Sequence, residues 1–384
     1  MQNVATTLAV VCALLALAGA VYFALCIWAA EWFRREAPQV AASDFTPRVS
    51  ILKSLKGLDP RMYEAFRSHC VLDYPEYELL FGASDPKEPA LQLVARLQQE
   101  FPEGQIRVIH CPLSLGMNGK VSTLAQMVPA ARYEHILIND SDIVAPCDYL
   151  RRVMSRFADA RVGMVTSLYR GLAGRTIPSR MEALGLSTDF MGGVLVAREM
   201  EGGVRFALGA TMATTKQVLA GIGGLEALVD YLGDDYELGA RTAAAGHKVE
   251  LADVVVQTAL PDYTFGQFWS HQMRWARNVK DRRSAQYFGL VVTFGLAWGI
   301  LALLFDFRAW WTWATLGTVA LVRVLAALAV GRGVLADSSV IRDLWLVPLR
   351  DFVALAVWVA SFAGDEVEWR GMKFRVRDGK LERV

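Results

Sequence analysis

The sequence predicts an α/β domain built on a mainly parallel sheet and joined to transmembrane helices, one amino-terminal and about three carboxy-terminal. Three observations lead there. Long uncharged runs stand near both ends of the chain, strand-like apolar segments alternate with amphipathic ones between them, and acids follow two of those apolar segments. Such alternation gives a sheet covered on both faces, and the ligands of such sheets collect at the carboxyl ends of the strands.

Residues 1–35 read as a membrane anchor, because Val4 to Ala30 carries no charge and is long enough to cross roughly 30 Å of hydrocarbon. The first residues hold no cation, whereas Arg34 and Arg35 follow the run. That order argues against a cleaved signal and places the next region in the cytoplasm. Residues 45–262 carry the alternation. RVSILKSL, YELLFGAS, IRVIHCP, EHILIND and VGMVTSL are the strands, and DPRMYEAFRSHC, EPALQLVARLQQEF and GKVSTLAQMVPAA have apolar residues at helical spacing.

Residues 263–284, with FGQFWSHQMRWARNVKDRR, interleave aromatic and cationic side chains as an amphipathic helix at a membrane surface does. A second reading brings Arg274 towards a departing diphosphate and the Trp275 indole into an acceptor pocket; His271 reads as a surface histidine. Residues 285–364 hold three apolar stretches, Tyr287 to Phe305, Trp310 to Val330 and Leu344 to Phe362, with Arg323, Arg350 and Asp351 inside them. Buried charges there must pair or face a polar cavity, which fits either a bundle charged at its rim or a lipid entry. Residues 365–384 alternate around Asp378-Gly379, the pattern of a small cytoplasmic hairpin.

Composition agrees with this division. The chain of 384 residues is 54% hydrophobic and 21% charged, too apolar for an ordinary soluble domain and too charged for a wholly embedded one. A net charge of +1 gives no reason to expect nucleic acid as a partner. The five cysteines (Cys12, Cys26, Cys70, Cys111, Cys147) are scattered, which indicates neither a disulfide framework nor a zinc site.

The acids carry the chemistry. Nucleotide phosphates bind Mg²⁺ or Mn²⁺ held by one or two carboxylates, and Asp140-Ser-Asp142 at a strand end supplies them. Alternate side chains of an extended segment share a face, so both acids address one ligand, Asp142 nearer the metal and Asp140 nearer a sugar hydroxyl. Asp85 reads either as a helix cap before Pro86 or as a nucleotide ligand. Of Asp234 and Asp235, one suits a helix start and the other remains for use as a base.

The ordered set GASD, Asp140-Ser-Asp142, GDDYELGA and HQMRW resembles the inverting family 2-type glycosyltransferases, with their spaced aspartate motifs and (Q/R)xxRW. VSILKSLKGLDPRMYEAFRSHCVLDYPEYELLFGASDP is similar to the amino-terminal block of ceramide glucosyltransferases. NDSDIVAPCDYL, HQMRWAR, LWLVPLRDFVALAVWVASF and EWRGMKFRV resemble still more closely their bacterial relatives, the hopanoid-biosynthesis glycosyltransferases. The resemblance implies a GT-A fold, a UDP-sugar donor, a divalent cation, a membrane lipid acceptor and a place in the bacterial inner membrane. By it, Asp235 is the catalytic base, and Ser54, Asp85, Lys120, Asp140, Asp142 and Arg274 bind the donor. Asp140 and Asp142 hold the metal, and Asp234, His271 and Trp275 line the acceptor pocket. His271 stands where the motif has Gln or Arg, Asp234 where Glu is common, and Met212 where ceramide enzymes often have Cys. The expected reaction moves glucose or N-acetylglucosamine from UDP to the hydroxyl of a ceramide, hopanoid or diacylglycerol. The alternatives are a processive polysaccharide synthase and a non-enzymatic membrane scaffold.

Overall fold

The computed structural model describes residues 2–36, 44–369 and 371–383. The junction expected between the anchor and the catalytic region, and Arg370 of EWRGMKFRV, fall at least partly outside them. Eight strands form one sheet: β1 Val49–Ser54, β2 Tyr77–Ala83, β3 Ile106–His110, β4 His135–Ile138, β5 Ile143–Val144, β6 Val162–Leu172, β7 Met212–Thr215 and β8 Lys248–Ala259. Their order is β3-β2-β1-β4-β7-β6-β8-β5. β1 lies between β2 and β4 and is parallel to both, with Val49 opposite Tyr77 and His135. β7 runs antiparallel to β4 and β6, and β5 antiparallel to β8.

All five sequence-expected strands are present, and so are the three helices, at Met62–Ser68, Ala90–Glu100 and Gly119–Met127. Sequence patterning did not show β5, β7 or β8; for β5 and β7, two and four residues are too few to establish a period. The core of β1, β2 and β4 is almost wholly apolar, with Phe66 and Phe81 in ring contact at 4.7 Å. Two charged side chains are buried in these strands, Lys53 near the end of β1 and Glu78 near the start of β2.

Among the described residues three helices are long and apolar enough to cross a membrane: Asn3–Glu36, Trp310–Val334 and Ser339–Ser361. The stretch expected as one span from Tyr287 to Phe305 is broken instead. Ser284–Thr293 and Gly295–Phe305 meet at 54°, and the pair counts as a fourth candidate only if taken together. The intervening Phe294, at φ −83° and ψ 37°, leaves the helical region and accounts for the bend.

The expected tail hairpin is a three-stranded antiparallel sheet: β9 Glu366–Trp369, β10 Met372–Arg377 and β11 Lys380–Arg383. Asp378 and Gly379 do make the β10–β11 turn, at φ 51° and 75°, as two-residue hairpin turns require. The additional β9–β10 connection uses Gly371 at φ 77°.

Candidate active site

The Asp140–Asp142 turn follows β4 and is fixed from beneath. Asn139 is buried; its Nδ2 donates to Tyr149 Oη at 2.9 Å and to the Ala210 carbonyl at 2.7 Å, and its Oδ1 lies 3.1 Å from His69 Nε2. Lys53 Nζ donates to the Asp140 carbonyl at 3.2 Å. Burial lowers the Lys53 pKa to about 7, although the charges of Asp142 and Asp140 oppose that fall. Ser141 turns the other way and donates to Asp59 Oδ2 at 2.7 Å. Asp142 accepts from the Thr258 hydroxyl of β8, and its carbonyl accepts from Ala259 N at 3.3 Å. Burial, and then the charge of Asp140, push the Asp142 carboxyl up to about 6.

Lys120 is the cation among these acids. Asn118 caps its helix by accepting from Lys120 N and Val121 N. Lys120 Nζ then reaches Asp140 Oδ1 at 2.7 Å and Asp234 Oδ2 at 3.2 Å. Burial works against its charge, but Asp140 and Asp234 together hold its pKa above the ordinary lysine value. Lys120 is therefore an internal counter-ion of Asp140 and Asp234.

Asp234 and Asp235 are the first two residues of the Asp234–Ala244 helix, whose cap is Gly233, so neither serves as the cap. Asp235 Oδ1 accepts from Tyr236 N at 2.7 Å and Oδ2 from Gly209 N at 2.9 Å. Gly209 separates two carboxylates: a Cβ there would stand 3.1 Å from Asp140 Oδ2 and 3.3 Å from Asp235 Oδ2. Burial, and then the Asp234 charge, push Asp235 up to about 6, with Lys120 and the Tyr236 amide pulling the other way.

The HxxRW residues lie on the Phe265–Arg282 helix, which Thr264 and Gln267 begin with a capping box. The surface reading of His271 is corrected. Its Nδ1 lies 3.2 Å from Oε1 of the buried Glu182, and its ring stacks on Tyr263 at 5.7 Å and meets Trp275 at 5.6 Å. Trp275 continues to Phe190 at 5.2 Å, and Phe190 to Tyr169 at 6.1 Å. Burial raises the Tyr169 phenol, and the charge of Asp235 adds to that rise. Burial and Glu182 likewise raise Tyr263, against the nearby Arg274 cation. Tyr263, stacked on His271, and Tyr169, reached from Trp275 through Phe190, thus stand between the HxxRW residues and the acids.

Ser54 ends β1 beside Gly82 of β2, half-buried at the same edge of the sheet. Asp85 stands exposed after β2. Its cap reading is corrected too, because the helix starting at Ala90 is preceded by Pro89 without a side-chain cap. Asp85 Oδ1 accepts instead from Lys87 N at 2.8 Å, closing a turn. Patterning had not singled out Lys53, Asp59, Tyr169, Glu182, Gly209, Thr258 or Tyr263. A lysine inside VSILKSL was the one visible signal; the others depend on tertiary placement.

Among the described residues no group of three or more His, Cys, Asp or Glu forms a complete metal-ligand set. A magnesium-type site needs only one or two carboxylates, since water and substrate phosphates complete it. Burial, and then the charge of Asp140, raise the Asp142 pKa, as befits two neighbouring carboxylates on one turn. Asp140 and Asp142 therefore fit a divalent cation.

The family model for glycosyl transferase family 21 matches residues 11–382. Ceramide glucosyltransferase 1 of Caenorhabditis elegans is 24% identical over 261 residues, 65% of this chain and 56% of that protein. A ceramide glucosyltransferase of Komagataella phaffii is 30% identical over 99 residues, 25% of this chain and 19% of its own length. The chain spans about half the length of the first of these relatives. A mannosyltransferase from Pyrobaculum calidifontis, solved in complex with GDP-Man and Mn²⁺, superposes with a TM-score of 0.53 at 19% identity, over 91% of this chain and 98% of that one. That likeness shows the GT-A-like fold, and the match along nearly the whole sequence shows the lineage: the chain belongs to glycosyl transferase family 21.

Proposed function

We propose that the chain transfers a hexose, glucose or N-acetylglucosamine, from a UDP-sugar to the hydroxyl of a membrane lipid of ceramide or hopanoid type, with inversion at the anomeric carbon. One observation carries the reading: Asp235, a carboxyl with a pKa of about 6, faces Asp140 across Gly209. A base is thus placed one glycine away from acids suited to a diphosphate. The names of the curated relatives support a lipid acceptor. So does the aromatic wall from Tyr263 to Trp275, which continues into Phe190 beside the membrane-type helices.

In this mechanism the lipid hydroxyl gives its proton to Asp235 as its oxygen bonds to C1 of the sugar from the face opposite UDP. The C1–O bond to the diphosphate breaks, and UDP leaves with the electron pair. Asp140 and Asp142 would hold the divalent cation, which when bound supplies charge neutralisation on the diphosphate. Arg274 adds positive charge on the leaving side, and Lys120 keeps Asp140 and Asp234 oriented. Tyr263, His271 and Trp275 form the wall that excludes water from the acceptor.

Each labelled UDP-sugar incubated with each lipid, with product mass as the readout, identifies the reaction. Asp235→Asn should lower the transfer rate by roughly 10²–10⁴-fold and leave UDP binding intact. Asp142→Ala should instead weaken UDP binding in calorimetry with Mn²⁺ and change it little without the metal. A wild-type rate in Asp235→Asn would exclude the base assignment.

A further inference from the structure

The carboxy-terminal sheet does more than return the chain to the catalytic region. Its small core consists of Val367, Phe374, Val376 and Leu381, and the fifth member is Leu232, three residues before Asp235. This cluster is separate from the main core. Backbone pairing accompanies the burial: Leu232 N donates to the Gly379 carbonyl at 3.0 Å, Leu381 N donates to the Asp230 carbonyl at 2.7 Å, and Tyr231 bridges Lys380 in antiparallel sense. Residues 230–232 thus extend the tail sheet at its β10–β11 turn.

The segment is held on its other side as well. Asn118 N donates to the Val229 carbonyl at 2.6 Å and Asn118 Nδ2 to the Tyr231 carbonyl at 2.8 Å, so the residue that caps the Lys120 helix also holds this strand. Arg282, at the end of the HxxRW helix, joins the two. It pairs with Glu237 at 2.9 Å, donates to the Gly379 carbonyl at 3.3 Å, and lies over the rings of Tyr231 and Tyr236 at 5.2 and 5.4 Å. Glu237 follows Asp235 by two residues on the same helical turn. Gly379 also donates its N–H to Asp281, and a Cβ on Gly379 would stand 2.8 Å from Arg282 Nη2.

We propose that the carboxy-terminal sheet positions the catalytic carboxylate: Gly379 and Arg282 fix the 230–235 segment, and thereby the place of Asp235 relative to the donor. They are positioning residues, since neither contacts Asp235. The proposal rests on the assignment of Asp235 as base. Orientation at a reacting centre is worth much, because a displacement of about 1 Å costs on the order of 10²-fold in rate.

The test uses the full chain with Gly379→Ala and, as a second variant, Leu381→Ala. Each should lower kcat about tenfold or more, keep the calorimetric affinity for UDP with Mn²⁺ within about twofold, and speed hydrogen exchange at the amides of Leu232 and Gly233. The main thermal transition should not move, because the tail core is separate. Wild-type kcat in both variants overturns the proposal. So does a parallel loss of kcat and UDP affinity, which would mark a general folding role. If the wild-type protein transfers no sugar to any lipid, the functional reading fails; unchanged exchange at Leu232 and Gly233 would reject the positional claim independently.

Discussion

Asp142 and Asp235 both hold their protons to about pH 6, whereas free aspartates release them near 3.8. In the proposed transfer Asp235 must be deprotonated to accept the proton of the lipid hydroxyl, so kcat/KM should rise with pH through about 6 and then level; a pH–rate profile at saturating Mn²⁺ checks it. The same shift has a stability sign. The folded pKa exceeds the unfolded one, so the stability from these groups is fully present below about 3.8 and is lost as pH rises through about 6. UDP with Mn²⁺ should therefore raise the thermal midpoint more at pH 7.5 than at pH 5, as differential scanning would show. At this scale the acids were legible, because a carboxylate pair after an apolar strand is unusual in sequence as well as in space. Glu182 and Gly209 were not. Each gains its role from a neighbour far along the chain, His271 for the first and Asp140 with Asp235 for the second.

Among the elements, the amino-terminal helix and the Gly295–Phe305 helix meet where neither has a side chain. A Cβ on Gly19 would stand 2.5 Å from Gly295 Cα, and backbone cannot move as a flexible side chain can. Small residues let apolar helices approach this closely. Gly19→Leu should push the pair apart at a cost of about 1–3 kcal/mol, read as a lower thermal midpoint in detergent, while Gly317→Leu, with open space at its Cβ, should change little. The apolar runs themselves were plain in the sequence because length and lack of charge suffice to identify them. The break at Phe294 was not, since Tyr287 to Phe305 is apolar throughout and only the backbone departs from helix.

In the whole molecule, Arg323 joins the catalytic region to the apolar helices. It is buried, lies 3.1 Å from Asp351 and also pairs with Asp189. Removing one member of a buried ion set leaves the others uncompensated, so Arg323→Met should cost about 3–5 kcal/mol. Replacing Asp351 by Leu in the same chain should recover part of that loss in thermal unfolding. Sequence located Arg323 and Asp351 but not Asp189, and could not pair them, because the three stand on three different elements. The tail sheet carries a further consequence, one of parity. It pairs with residues 230–232, so that sheet lies on the face of the bilayer that those residues occupy. The Ser339–Ser361 helix is held near one end by Arg180 of the catalytic region, which pairs with Asp343, and at the other by Lys280 of the HxxRW helix, which donates to the Ser361 and Gly364 carbonyls. Arg170 already meets Leu335 there, ahead of that helix. Crossings by the amino-terminal helix, by the bent pair and by the helix starting at Trp310 would keep both ends of the Ser339–Ser361 helix on the catalytic side, an arrangement that labelling tests. In a chain freed of its own cysteines, a cysteine at Arg308 should react from one face of a sealed vesicle and a cysteine at Gly364 from the other; a fourth piercing would pull the tail away from Leu232.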